Sequence, residues 1–183
     1  MARKSKGSQR SAVIKGAARH LQRASGAAVN LLCQVVKETQ SIDESSLAEL
    51  LNEFVSERMR LAKEFWSTAK RLKPETPADH IAIIGRAYYA MYHAARAVVF
   101  AHKRTDVDKH EELPGHLPRG GFAKEGYWQD RLGYWRTVRN DLDYSPWPNQ
   151  EVGVESLAKQ VLKEAHLFIL ECEVYLKGRV RNA

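Results

Sequence analysis

The chain has 183 residues, 44% of them hydrophobic, which suffices for one domain with a sizeable core and an appendage. No apolar run approaches the roughly 18 residues of a membrane-spanning helix, so no membrane span is predicted. The two cysteines, Cys33 and Cys172, lie far apart and in no paired spacing. This argues against a disulfide framework and a zinc site, and it predicts a reducing compartment, the cytoplasm.

The net charge of +7 is concentrated at the N-terminus. Residues 1–37 contain eight Lys or Arg residues and no acidic residue, whereas residues 38–183 contain 21 basic and 22 acidic residues. A basic arm attracts nucleic acid by releasing counterions. The same composition suits a solvated tail that aids solubility, or a transit peptide. We favour a solvated or weakly nucleic-acid-binding tail.

The N-terminal arm is predicted to cover residues 1–45. Residues 1–11 are polar and basic, which is typical of disorder. Residues 12–40 carry small apolar residues at a loose helical spacing that two glycines interrupt, so an accessory helix or a broken pair of helices is expected. A helical domain is expected over residues 46–183.

The first long helix is predicted to begin near Ser46, because Ser46 and Glu49 have the spacing of a capping box. Apolar residues then recur at the helical period until Pro74 ends the helix. Arg58 lies on the same apolar stripe. We expect its stem to lie along the surface with the charge in water, or the side chain to point into a cleft.

The second helix has the clearest start in the chain. Thr76 suits the N-cap, Pro77 suits the first helical position, and Asp79 lies in the first turn, where the helix dipole favours a negative charge. The apolar period continues to about Lys103.

Residues 104–126 are polar, with two prolines and four glycines, and predict a long loop. Six potential metal ligands crowd this loop: Asp106, Asp108, His110, Glu111, Glu112 and His116. No two of them have a recognised ligand spacing, so we interpret the segment as a solvated loop and predict neither a metal site nor a cofactor.

Two further helices follow the loop. One is predicted from about Tyr127 to Leu142, where a proline-containing segment breaks it. The last is predicted from about Glu151 to Lys177, with Gly178 as its C-cap.

The pattern contains no strand signal and no repeat, so the predicted fold is all-α, a bundle of four or five helices. Trp128 and Trp135 are expected to seal it. Tyr88, Tyr89 and Tyr92 have the residue type that stacks on bases, but their helical spacing favours packing in the core or a dimer interface.

Arg136 and Arg139 share one face of the third predicted helix, near an exposed end. Two arginines so placed make a phosphate clamp of planar, permanently charged donors. Ion pairs with Asp141 and Asp143 are the alternative, and on spacing alone they are the commoner arrangement.

The helical run at residues 85–99, GRAYYAMYHAARAVV, and the later segment at 136–144, RTVRNDLDY, together resemble the HEPN superfamily over about residues 47–177. HEPN proteins are small all-α modules that occur as RNA-cutting toxins and as partners of nucleotidyltransferases. The resemblance implies a HEPN-like bundle, action on RNA, and a homodimer through the second and third helices. The apolar load of residues 81–100 and 127–135, greater than one core would need, suggests the same interface.

HEPN nucleases cut RNA without a metal, using an Arg, often followed by a polar residue, and a His slightly later in the chain. Here Arg139 and Asn140 match the first two positions, and Tyr144 stands where the His is expected. Asp143 and Tyr144 resemble a subgroup with Asp-Tyr at this point. Tyrosine has an unperturbed pKa of about 10 and is a poor base at neutral pH.

His93 is a candidate for the missing imidazole, since it follows Arg86 on the same face of the second helix, which lines the cleft in HEPN folds. A histidine packed between helices is the interpretation that we favour. Arg86 and Arg136 are the candidate RNA-binding residues.

Two functions remain open. In the first, a toxin-type endoribonuclease, Arg139 and Arg136 would stabilise the phosphorane while Tyr144 and Asn140 orient the attacking 2′-hydroxyl. In the second, a non-catalytic HEPN module binds RNA or pairs with a nucleotidyltransferase antitoxin.

Overall fold

A computed structural model describes residues 15–22, 24–39, 44–144 and 153–180. Within these ranges all regular structure is helical, and no strand occurs. The helices are α1 (residues 15–22), α2 (Gly26–Thr39), α3 (Glu44–Arg71), α4 (Pro77–Lys103), α5 (Leu113–His116), α6 (Tyr127–Tyr144) and α7 (Val154–Val180). The predicted all-α class is confirmed, with four long helices, α3, α4, α6 and α7. Across the described ranges, no helix combines the length and apolarity needed to cross a membrane.

The start of α4 follows the predicted capping pattern. Thr76 has an extended backbone, and its hydroxyl accepts a hydrogen bond from the Asp79 amide at 3.3 Å, while the Asp79 carboxylate accepts one from the Thr76 amide at 2.8 Å. The reciprocal bonds satisfy two backbone donors that an uncapped helix end leaves free. At the other end Arg104 takes a left-handed conformation, φ 56°, which turns the chain into the loop.

Helix α4 is the centre of the bundle and contacts α3, α5, α6 and α7. The two tryptophans of α6 seal the structure as predicted, since Trp128 and Trp135 are both buried. The Trp135 indole N–H donates to Glu164 on α7 at 2.8 Å, and Arg131 donates two hydrogen bonds to the same carboxylate. A buried polar network thus joins α6 to α7.

The packing of α4 removes one reason for expecting a dimer interface there. Fourteen residues of α4 are buried within a single chain, as are Leu132 and Trp135 of α6. Most of the apolar surface of these helices is therefore covered within one chain, by α3, α5 and α7, although Tyr134 is exposed, and the homodimer stays a prediction. Helix α7, in contrast, has three exposed apolar residues: Leu167, Leu170 and Val174.

The long loop is solvated only in part: Glu111 and Glu112 are exposed as predicted, whereas Asp106 is only 4% exposed. Its carboxylate accepts a hydrogen bond from Arg58 Nη2 at 2.8 Å and two from Arg96, one of them from Nε at 3.0 Å. Arg58 is fully buried, so neither its predicted surface position nor a cleft is found. The error follows from the sequence distance: 48 residues separate Arg58 from Asp106.

The same loop binds the N-terminal helices to the body. The Asp106 amide and carbonyl exchange hydrogen bonds with the Asn30 side chain at 2.8 and 3.2 Å, and Asp108 accepts one from the Gly26 amide at 2.6 Å. Val29 is buried in the common core. The expected broken pair of helices is therefore present as α1 and α2, and it is packed on the bundle, whereas residues 1–11 lie outside the described residues.

Three predicted helix ends differ from the structure. Helix α3 begins two residues before Ser46. Helix α6 continues past Leu142 to Tyr144, because Asp143 pairs with a residue one turn earlier in the helix. Gly178 lies inside α7, which runs to Val180, so it is not the C-cap. The predicted start of the last helix, Glu151, lies outside the described residues.

Removing the Asp106 carboxylate should destabilise the protein severely. Asp106→Ala would leave Arg58 and Arg96 buried without their anion, and losing one partner of a buried pair costs about 3–5 kcal/mol. For a chain of this size we expect Tm to fall by on the order of 10 °C. Thermal unfolding followed by circular dichroism measures it.

The matched control is Glu112→Ala in the same loop, where an exposed ion pair with Lys109 is lost. It should change the free energy of unfolding by no more than about 0.5 kcal/mol. Equal Tm values for the two variants would show that the buried cluster does not hold the loop.

Candidate functional site

Arg139 lies near the C-terminal end of α6 and points toward α4. Its Nη2 donates to the hydroxyls of Tyr89 and Tyr144, at 3.2 and 3.1 Å. The guanidinium carbon also lies over both rings, 5.3 Å from the Tyr89 centroid and 5.0 Å from that of Tyr144. Two aromatic rings and two hydroxyls therefore fix the orientation of this cation.

The remaining nitrogens of Arg139 face its own helix. Nη1 donates to Asn140 Oδ1 at 3.1 Å, and Nε lies 2.7 Å from Asp143 Oδ2. The Nε–H does not point at that oxygen, so the contact is an ion pair without a hydrogen bond. The Arg139 side chain is only 14% exposed, so the expectation of an exposed helix-end arginine is wrong. The ion pair with Asp143, which the spacing offered as the alternative to a phosphate clamp, is present.

Arg136 lies one turn earlier on the same face of α6 and is half-buried. Among the described residues it has no acidic partner. Its charge reaches the groups on α4 and the loop, because Arg136 acts on the pKa of both Tyr88 and His110. A half-buried arginine without a counter-ion, beside a second arginine, is an arrangement suited to binding an anion such as a phosphate.

The loop brings His110 to this site, which sequence reasoning missed. Its ring stacks on Tyr92, with centroids 4.0 Å apart and planes at 14°, and Nδ1 lies 2.7 Å from the Tyr88 hydroxyl. The edge of Tyr89 is the third contact, at 5.9 Å between centroids. Tyr89 therefore touches both His110 and Arg139, and it links the imidazole to the arginine.

Burial first, and then the charges of Arg139, Arg136 and Arg96, lower the pKa of His110. The ring is therefore neutral at pH 7. Burial also raises the pKa of Tyr88, so its hydroxyl stays protonated. The hydroxyl and His110 Nδ1 share one hydrogen bond, and the tautomer of the ring decides which of the two donates. Only the other nitrogen, Nε2, is left without a partner in the described part of the chain.

The other candidate residues lie one layer away. His93 stacks on Phe65 at 5.3 Å, and Arg86 is exposed with its guanidinium 5.6 Å from the Phe65 centroid. Phe65 in turn stacks on Tyr89 at 5.6 Å. Burial, with Arg58 and Arg96 adding to it, lowers the pKa of His93 to about 3. Four of the candidate residues thus lie together near the end of α6: Arg136, Arg139, Asn140 and Tyr144. Arg86 and His93 lie on α4 and contact Phe65.

A different basic surface, on the outer side of α3, is less suited to a ligand. It is an open groove of about 490 Å³ that contains Arg60, Lys63 and Glu64. Arg60 pairs with Glu57 and Glu64, and Lys63 pairs with Glu173, so most of its cations already have anionic partners. The volume of the groove alone does not make it a site.

Comparisons with known proteins add nothing to this geometry. No protein-family model matches the chain, and a search of curated proteins gives no match. The case for the site at the end of α6 therefore depends on its own contacts: two arginines, a neutral imidazole and an exposed tyrosine around Tyr89.

His93 should remain neutral over the whole physiological range. NMR of its ring nitrogens should show no titration between pH 8 and pH 5. In the unfolded chain His93 is protonated near pH 6.5, whereas in the folded protein its pKa is about 3. The free energy of unfolding should therefore fall as the pH drops from 6.5 toward 3, by up to about 1.4 kcal/mol per pH unit.

His93→Gln should flatten that dependence between pH 6 and pH 4, as measured by urea unfolding at each pH. A midpoint for His93 near its ordinary value in the folded protein would contradict the burial argument.

Proposed function

We propose that this chain is a HEPN-like RNA-binding protein that cuts RNA without a metal at the Arg136–Arg139 site. The observation that carries the proposal is Arg136, a half-buried arginine that lacks an acidic partner among the described residues beside the fixed guanidinium of Arg139. Arg136 lacks an anion, and a bridging phosphodiester has the charge and the oxygens to accept hydrogen bonds from Arg136 and from the remaining N–H of Arg139 Nη1. The all-α bundle, with the arginine motif facing α4, is compatible with the resemblance.

The exposed rim of the site suits a single strand. Tyr144 is 71% exposed, and its hydroxyl accepts a hydrogen bond from Arg139. Its ring therefore offers a stacking surface next to the proposed phosphate site. Tyr88 and Tyr92 are buried and cannot stack on a base, as their helical spacing indicated. Single-stranded RNA, with unpaired bases and a flexible backbone, is the substrate that this geometry favours.

In the proposed cleavage reaction the two guanidinium groups hold the scissile phosphate and stabilise the negative charge of the phosphorane. Asn140 accepts a hydrogen bond from Arg139 and thereby fixes one nitrogen of that cation. Tyr144 orients the 2′-hydroxyl that attacks the adjacent phosphorus. The products are a 2′,3′-cyclic phosphate and a 5′-hydroxyl end.

The second candidate is a non-catalytic module that binds RNA or pairs with a nucleotidyltransferase antitoxin. The ion pair between Arg139 and Asp143 favours it, because the carboxylate competes with phosphate for the cation. The tyrosine at the expected histidine position favours it as well. In either case the proposal includes a homodimer, which the resemblance implies. It also includes a location in the cytoplasm, which the absence of a paired cysteine spacing predicts.

RNA affinity should depend on both arginines. Arg136→Gln and Arg139→Gln should each weaken binding of a single-stranded RNA by about 1.5–3 kcal/mol, the value of a charge-assisted hydrogen bond. Each should also reduce the slope of log affinity against log salt by about 1. Fluorescence anisotropy at several salt concentrations measures both quantities.

Lys159→Gln is the control, since it removes one positive charge from an exposed ion pair on α7, away from the site. It should leave the affinity unchanged. If all three variants bind RNA as tightly as the wild type, the arginine pair is not the RNA site. If all three lose the same amount of affinity, the effect is one of net charge alone.

A further inference from the structure

We infer that His110, carried into the site by the loop after α4, is the group that takes the proton from the attacking 2′-hydroxyl. The inference depends on the proposed nuclease function, and it assigns within that site a catalytic role to a residue outside the Arg-to-Tyr motif.

The position of the ring follows from its neighbours. Tyr89 contacts Arg139 through its hydroxyl, at 3.2 Å, and contacts the His110 ring through an edge, at 5.9 Å between centroids. The charges of Arg139 and Arg136 both act on the pKa of His110, so a phosphate held by these two arginines would lie on the side of Tyr89 that faces the imidazole. His93, by contrast, faces Phe65, and its Nδ1 is buried without a partner.

The ring is held firmly enough to act at one atom. Stacking on Tyr92 fixes its plane, and the contact of Nδ1 with the Tyr88 hydroxyl fixes its rotation. In the tautomer that can accept a proton, Nδ1–H donates to the Tyr88 oxygen and Nε2 carries the free lone pair. The backbone that carries His110 is itself fixed, because the Tyr92 hydroxyl donates to the Asp108 carbonyl at 2.6 Å.

The charges around the ring favour its basic form. Helix α4 contributes Tyr88, Tyr92 and Arg96, α6 contributes Arg136 and Arg139, and the loop contributes Glu111. Burial, and then three cations against one carboxylate, lower the pKa of the ring, so it is neutral at pH 7 and available as a base. A neutral imidazole that becomes protonated only in the reaction is the form that general base catalysis requires.

His110 Nε2 takes the proton of the 2′-hydroxyl, the 2′-oxygen forms a bond to phosphorus, and the bond from phosphorus to the 5′-oxygen breaks. The leaving 5′-oxygen takes a proton from water, and the resulting hydroxide takes the proton from Nε2. The ring returns to its neutral form, and no metal or redox partner takes part.

The test measures single-turnover cleavage of a fluorescent single-stranded RNA by the full chain in EDTA. His110→Gln should lower the rate by about 100-fold or more, the usual contribution of a general base, without weakening RNA binding. His110→Ala should be equally slow and should regain activity when free imidazole is added, which a purely structural role would not produce. The wild-type rate should stay nearly level from pH 8 to pH 7, because the lowered pKa of the ring keeps it neutral there.

His166→Gln on α7 is the control, since His166 is exposed and stacks on Trp66 outside the site. It should cleave at the wild-type rate. Circular dichroism checks that each variant is folded. A wild-type rate in His110→Gln overturns the inference, as does a loss of cleavage in His93→Gln alone. RNA binding without any cleavage by the wild-type chain overturns the nuclease proposal itself, and the inference with it.

Discussion

The carboxylate of Asp106 is the point on which the arrangement of this protein depends. It pairs with two buried arginines, one from α3 and one from α4, and the backbone of Asp106 forms hydrogen bonds with Asn30 of α2. A buried charge is tolerated only when it is paired and hydrogen-bonded. Detaching the loop would leave both arginines buried without an anion, so the loop is held in place. Burial, and then the charge of Arg96, lower the pKa of Arg58 to about 10, which still leaves Arg58 charged at neutral pH. Because Asp106 anchors the loop, His110 four residues later is set against Tyr92.

Much of the fold could be predicted from the sequence, because local rules govern it. The cap at Thr76, the period of the long helices and the burial of Trp135 each depend on residues close in the chain. The cluster of Asp106 with Arg58 and Arg96 could not be predicted, since Asp106 lies 48 and 10 residues from these two partners. A loop rich in charge also usually lies in water. Nor could a pattern of apolar residues reveal that one helix, α4, would be covered on so many sides.

The candidate site divides in the same way. Arg136, Arg139, Asn140 and Tyr144 lie within three turns of one helix, so their proximity follows from the sequence alone. His110 comes from a loop whose path depends on tertiary contacts, and no recognised spacing in the sequence distinguishes it from the other titratable residues of that loop. The one available signal was the concentration of titratable residues in that loop, which became meaningful only when the fold placed Tyr89 between His110 and Arg139.

The most direct test of this account is to find where RNA touches the protein. We would crosslink a single-stranded RNA containing 4-thiouridine to the full chain and identify the modified peptides by mass spectrometry. The account predicts crosslinks at the end of α6, around Tyr144, and in the loop around His110. Crosslinks confined to the basic N-terminal residues or to the groove on α3 would contradict it, because the arginine pair would then lie outside the surface that RNA contacts.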